Sequence, residues 1–150
     1  IVNKTPSERV AVVGAIDPDV HTADTYYTGY IPMKNFRRFM AVVMAGTLGT
    51  NATVNAKLIA YTSAAGAGAL DVPGAAITQL TEAGTDSDKQ AVINFDTSIL
   101  AGSTLYTHFR LSLTLGTATS DLGAIVFGLD PLYAPASDND ATTVDEIVTV

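Results

Sequence analysis

The chain has 150 residues and a net charge of −7, with 47% hydrophobic residues, only 15% charged residues and no cysteine. This length is typical of one domain with its own core, and the acidic balance argues against nucleic-acid binding and against electrostatic attachment to anionic lipid. The absence of cysteine excludes a disulfide framework and thiolate chemistry, and no apolar run approaches the ~20 residues that a membrane-spanning helix needs.

The first elements of the chain are short predicted strands. Residues 10–13, VAVV, form a β-branched run that ends at Gly14. Residues 17–20, DPDV, have the composition of a turn, because proline fixes φ and aspartates cap turns. Residues 25–31, TYYTGYI, are rich in strand-forming side chains and stop at Pro32.

The next segment, NFRRFMAVVMAG at residues 35–46, fits either a helix or a strand. A helix would place one apolar stripe at i, i+3, i+4 and i+7, made of Phe36, Phe39, Met40 and Val43. The adjacent β-branched residues Val42 and Val43, together with the strands predicted on both sides, favour a strand.

As a strand, this segment constrains its two adjacent arginines. Neighbouring residues point to opposite faces, so Arg37 shares a face with Phe39 and Arg38 shares a face with Met40. Because an unpaired buried cation is too costly, both are expected at the rim of the sheet. One would extend into solvent, and the other would pair with a carboxylate of this chain or of a neighbouring subunit.

The middle of the chain contains a clear alternating strand and an ambiguous segment. Within residues 52–61 the side chains expected on one face are Val54, Ala56, Leu58 and Ala60. Residues 63–69, SAAGAGA, read as a mobile loop. Residues 75–84 fit a short helix or a strand, and the threonines at 78 and 81 favour the strand.

Three further strands are predicted in the second half. Residues 91–95 form one, and residues 105–115, LYTHFRLSLTL, alternate between leucine-rich and polar faces. Residues 123–129, GAIVFGL, are apolar on both faces and are therefore predicted to be buried on both. About eight strands with short turns indicate an all-β fold, an antiparallel β-sandwich or jelly-roll-like single domain.

The expected domain organisation is simple. Residues 1–9 are predicted to be an N-terminal arm, residues 10–133 the β-sandwich, and residues 134–150 a linker followed by a terminal strand or tail. The alternating final residues, TTVDEIVTV, are expected to pair with this chain or with a neighbour.

No catalytic or metal-binding pattern stands out, so we predict a non-enzymatic protein without cofactor or metal. There is no G-x-S-x-G nucleophile elbow and no glycine-rich phosphate loop. The two histidines, His21 and His108, are far apart and are expected to be exposed or hydrogen-bonded. Paired aspartates fit turn capping, and their positions are 17/19, 86/88 and 138/140. Residues 137–146, SDNDATTVDE, remain an alternative calcium site, since loop carboxylates at i and i+2 are good hard-cation ligands.

Four stretches together resemble a family of small virion proteins from tailed, siphovirus-like bacteriophages. They are VAVVGAIDPD, FRRFMAVVMAGTLGTNATVNAKL, AITQLTEAGTDSDKQAVINF and RLSLTLGTATSDLGAIVFGLDPLYAPASDND, and the resemblance extends roughly over residues 10–148. It rests on whole segments rather than on a catalytic motif. The resemblance implies a capsid decoration or cement protein on the virion surface, made in the host bacterial cytoplasm. Its implied partners are the major capsid protein and copies of itself, with a homotrimer favoured.

The composition agrees with an assembly role. A soluble domain is usually about 25% charged, so a chain with 15% must have many small neutral side chains on its surface, which suits packing against copies or a partner. Candidate interface residues are Arg37, Arg38, Tyr26, Tyr27 and Tyr30. The alternatives are another virion component, such as a head–tail connector, tail-tube subunit or minor fibre domain, and a carbohydrate-binding β-sandwich. Carbohydrate binding is disfavoured because tryptophan is absent and the tyrosines are spread along the chain.

Overall fold

A computed structural model describes residues 5–150 and shows two antiparallel sheets packed face to face. Within these residues the strands are β1 (Val10–His21), β2 (Asp24–Tyr27), β3 (Ile31–Pro32), β4 (Phe36–Ala45), β5 (Thr53–Tyr61), β6 (Leu70–Ala76), β7 (Leu80–Thr81), β8 (Gln90–Asp96), β9 (His108–Gly116) and β10 (Ser120–Pro131). A one-turn helix α1 (Pro6–Arg9) precedes them, and 3₁₀ turns occupy Thr97–Leu100 and Ala136–Asn139. The predicted all-β class is confirmed.

The order of the strands is that of a jelly roll. Sheet A has the order β1-β10-β4-β8, and sheet B has the order β2-β9-β5-β6. The short strands β3 and β7 continue the positions of β2 and β6 beside β9 and β5, which leaves eight strand positions. The first position pairs with the last, the second with the seventh, the third with the sixth and the fourth with the fifth. This is the pattern of one long antiparallel hairpin rolled into two sheets.

The core lies between the inner faces of the two sheets. Alternation in β5 and β9 buries the predicted faces, which are Val54, Ala56, Leu58 and Ala60, and Phe109, Leu111, Leu113 and Leu115. At its centre the Phe109 ring lies 4.6 Å from Phe39 and 5.1 Å from Phe95, measured between centroids. The contact joins both sheets, because Phe109 comes from sheet B and the other two rings come from sheet A.

The predicted turn at residues 17–20 was wrong, because β1 continues through it to His21. The ladder shifts register between Ile16 and Asp19, and this irregularity accommodates Pro18. A Cβ atom on Gly123 would lie 2.9 Å from the Pro18 Cα, so the proline packs directly over this glycine. Because β1 is an edge strand, the missing N–H of Pro18 costs no bond in the interior of the sheet.

Other boundaries also differ from the predictions. The strand predicted at residues 25–31 is divided into β2 and β3 by Thr28, whose hydroxyl accepts the Leu111 N–H at 3.1 Å. Residues 75–84 contain the end of β6 and all of β7 but no helix, and β6 itself was not predicted. The strand predicted from residue 105 begins at His108.

Among the described residues, those before β1 and after β10 form no strands of the sandwich. Residues 1–4 of the predicted N-terminal arm lie outside the described residues, and Pro6–Arg9 form α1. Residues 141–150 belong to no strand. Their start is tied to the edge of β1, where the Ala141 N–H donates to the Val12 carbonyl at 2.7 Å and Asp140 accepts the Val12 N–H at 2.8 Å.

We expect Phe109→Ala to lower the free energy of unfolding by about 3–5 kcal/mol, because it leaves a cavity where the two sheets meet. Urea denaturation followed by circular dichroism measures this change. The matched control is Tyr133→Ala, which removes an aromatic ring that is exposed. A loss below about 1 kcal/mol at Phe109 would show that the ring cluster is not the centre of the core.

Candidate functional site

The outer face of sheet A is the strongest candidate for a functional surface. In an antiparallel sandwich, outward side chains are normally polar. Sheet B follows this rule, since the outward side chains of its central strand β9 include Arg110, Ser112 and Thr114. Sheet A departs from this rule, because each of its four strands carries an apolar side chain at an outward position. The edge strand β8 supplies only Val92, between the polar residues Gln90 and Asn94. We call these residues the apolar face: Val12, Ala15, Met40, Val42, Met44, Val92, Ile125, Phe127 and Leu129.

The register of the strands brings these side chains into continuous rows. Ala15, Ile125, Val42 and Val92 are direct neighbours across β1, β10, β4 and β8. The adjacent row contains Val12, Phe127 and Met40 and ends at the polar residue Asn94. Met44 and Val92 are 51% and 54% exposed. The prediction that residues 123–129 are buried on both faces was therefore wrong for the single chain, whose strand β10 has one buried face and one half-buried face.

The size of the apolar face suits a contact surface. Strands about 4.8 Å apart, with rows about 6.8 Å apart along them, give each outward residue about 33 Å², so the nine residues cover about 300 Å². This is the size of the largest apolar patch on an ordinary monomer, which is often functional. It is little more than a third of the roughly 800 Å² that one partner contributes to a standard stable interface. One such face therefore supports a weak contact by itself.

Both predicted arginines lie near the start of β4, where Arg38 pairs with Leu129 at one border of the apolar face. Arg38 forms an ion pair with Asp130, and both side chains are substantially exposed, so the pair contributes little to stability. Arg37 is exposed, and its carbonyl accepts a hydrogen bond from the Thr97 hydroxyl at 3.1 Å. The strand and the pairing of one arginine are thus as predicted, while the role of both in an interface stays a prediction.

Asp96 completes this charged border. It faces Arg38 across the β4–β8 ladder, and its carboxylate accepts the Ser98 N–H at 3.0 Å at the start of a 3₁₀ turn. Hydrogen bonds from the Ser98 backbone and side chain, followed by the charges of Arg38 and Arg37, hold the pKa of Asp96 below its usual range.

The three predicted tyrosines do not form one cluster. The Tyr26 hydroxyl donates to the Thr22 carbonyl at 2.7 Å, and its ring lies 4.4 Å from the His21 ring. Tyr27 and Tyr30 lie elsewhere, on the outer side of sheet B, with the guanidinium of Arg110 between them at 3.7 and 4.7 Å from the ring centroids. The sequence prediction missed Arg110, whose only signal was its place on the polar face of its strand.

The described residues contain no group of three metal-ligating side chains. His21 Nε2 lies 2.9 Å from the Asp17 carbonyl oxygen, and His108 Nδ1 lies 2.8 Å from the Thr107 hydroxyl, so both histidines have hydrogen-bonding partners. In the alternative calcium segment, Asp140 is engaged with the backbone of Val12. A cleft of about 840 Å³ between loops is lined by His108 and Lys34 but by no carboxylate. No helix between residues 5 and 150 has the length and apolar character needed to cross a bilayer.

Comparisons with known proteins add a distant likeness among solved structures. No protein-family model matches the chain, and no curated protein matches it. Among solved structures, it is similar to a chain in the cryo-EM atomic structure of broad bean stain virus, with 14% identity and a TM-score of 0.45 over 99% of this chain and 98% of that chain. The fold assignment itself rests on the strand order and pairing of the chain.

We expect the pKa of Asp96 to lie below the usual range of an aspartate. The substitution Arg38→Gln should raise this pKa without restoring the ordinary value, because both hydrogen bonds from Ser98 remain. Because the folded pKa is lowered, the stability that ionised Asp96 contributes is present above its unfolded pKa and is lost as pH falls through the folded pKa. Carboxyl ¹³C chemical shifts followed against pH measure this pKa. Lys57→Gln, which removes a cation paired with Asp71 in sheet B, is the control and should leave Asp96 unchanged. An Asp96 that titrates like a free aspartate would contradict the border geometry.

Proposed function

We propose that this chain is a virion structural protein, and more specifically a decoration protein that binds the outer surface of a phage capsid. The observation that carries the proposal is the apolar face of sheet A. An antiparallel sheet that exposes apolar side chains on every strand is suited to a partner that removes them from water. We assign this face to the major capsid protein.

The proposal that the particle is a phage rests on the sequence and not on the fold. Jelly rolls occur in viral capsid domains, but they also occur in lectins and cupins, so the fold by itself does not choose a function. The resemblance of residues 10–148 to tailed-phage virion proteins supports a phage particle. The low content of charged residues, 15%, is consistent with a surface that is covered after assembly.

The modest area of the apolar face favours an oligomer over a single attached chain. A face of about 300 Å² provides little more than a third of one side of a standard interface. A trimer presents three such faces from one body, and attachment of the first raises the effective concentration of the others. A homotrimer is therefore the assembly that we propose for binding, with the charged border of Arg37 and Arg38 fixing its orientation.

We expect Met44→Lys combined with Val92→Lys to abolish binding to purified particles while leaving the fold intact. Both side chains are about half exposed, so lysine is tolerated in the free chain but carries unpaired charge into the contact. Co-sedimentation with capsids that lack the protein measures binding, and circular dichroism checks the fold. The matched control is Asn55→Lys, the same kind of change at an exposed outward position of β5 in sheet B. Equal loss of binding in the control would remove the apolar face from the contact.

The number of copies per particle separates decoration from the other virion roles. We expect hundreds of copies around three-fold and quasi-three-fold positions, counted by quantitative mass spectrometry and located by cryo-electron microscopy. A dozen or fewer copies at one vertex would instead assign the chain to a connector or tail.

A further inference from the structure

A second surface, on the outer side of sheet B, has a cation without an acidic partner. The guanidinium of Arg110 lies over the ring of Tyr27 and beside Tyr30, and its Nε donates to the Tyr61 hydroxyl at 3.0 Å. Among the described residues, the ion pairs are Arg38–Asp130, Lys57–Asp71 and Lys89–Asp86, so Arg110 has no carboxylate. Among the same residues, the two terminal amino groups of Arg110 have no hydrogen-bond acceptor either.

The rings fix this guanidinium in one orientation. A planar cation stacked on aromatic rings loses less conformational freedom when it binds, and it presents two parallel N–H groups that match a carboxylate. Tyr61 is buried and holds one side of the group, whereas Tyr27 is 44% exposed and offers an apolar surface beside it. The surface is therefore built to receive an acidic side chain that has apolar neighbours.

The C-terminal segment of the chain has that chemistry. Residues 145–150 read DEIVTV, and all six are exposed. Ile147 and Val148, which is 74% exposed, follow directly after Asp145 and Glu146, and neither acid has an ion pair among the described residues. Burial of Ile147 and Val148 against tyrosine rings would remove apolar area from water.

The root of this segment is anchored, whereas residues 145–150 are exposed and belong to no strand. The contacts of Asp140 and Ala141 with Val12 hold the root at the edge of β1. From there, ten residues in extended form span up to about 33 Å, which is enough to cross to an adjacent subunit.

We propose that Asp145 and Glu146 of one copy bind Arg110 of a second copy, while Ile147 and Val148 pack on Tyr27. The contact links neighbouring copies through sheet B and leaves the apolar face free. The inference rests on the proposed function only in that both require copies to associate. It concerns the purified chain in solution and involves no capsid.

A pair of charge-reversal variants of the full chain tests the contact. Arg110→Glu alone, and Asp145→Arg with Glu146→Arg alone, each place like charges together, so each should raise the dissociation constant for self-association at least about tenfold. When the two variants are mixed in equal amounts, each site meets a complementary segment and association should return. Sedimentation velocity ultracentrifugation over a concentration series measures both effects.

The controls address folding and specificity. Lys34→Glu makes the same charge change at an exposed cation and should leave association unchanged. Arg110→Met keeps an aliphatic stem against Tyr27 and should still lose association, with the fold checked by thermal melting. Restored association in the mixture also shows that both charge-reversal variants are folded.

Two results would overturn the inference. One is a wild-type chain that remains monomeric up to about 1 mM. The other is a mixture that associates no better than its separate components, which would place the segment on its own chain or elsewhere. Particle binding by the same variants is measured separately, so loss of the subunit contact can be distinguished from loss of capsid binding.

Discussion

The structure depends on the packing of the inner face of sheet A against the inner face of sheet B. Phe39 and Phe95 from one sheet meet Phe109 from the other, and the leucines of β9 extend this layer along the sandwich. Because sheet A is already buried on this side, its other side is free to be shaped by an external contact. The central strands β10 and β4 carry apolar side chains on both sides, of which one builds the core and the other is the side assigned to a partner in the proposed function.

The two candidate surfaces lie on opposite sides of the sandwich and differ in chemistry. The apolar face of sheet A spans four strands and contains no charged residue, and Arg38 lies at its border. The surface around Arg110 on sheet B is small and is organised by one cation among rings. A protein that attaches by one broad face and is joined to its neighbours by a narrower, more specific contact can cover a lattice without either contact being strong.

Much of the fold could be predicted from local patterns. Alternation within residues 52–61 and 105–115 assigned the inner faces of β5 and β9 correctly. A strand with one buried face and one solvent-facing face has apolar residues at every second position. The strand at residues 35–46 was recognised by its β-branched pair. Pro18 led to the wrong prediction of a turn, because proline normally ends a strand but is tolerated within an edge strand such as β1. The two candidate surfaces were less predictable.

The neighbours of Arg110 depend on the register between distant segments, since Tyr61 is 49 residues away along the chain. For the apolar face, an apolar sequence does not reveal whether the residues that bury it belong to the same chain or to a partner.

The pairing of the first strand, β1, with the last strand, β10, affects the order in which parts of the fold form. Val10 pairs with Leu129, and the apolar face includes strands from both ends of this long loop. Contacts so distant along the chain form late, because a large loop must close before they are gained. An incomplete or unfolded chain therefore lacks the contiguous apolar face. That face is complete only when the last strand, β10, has entered the sheet between β1 and β4.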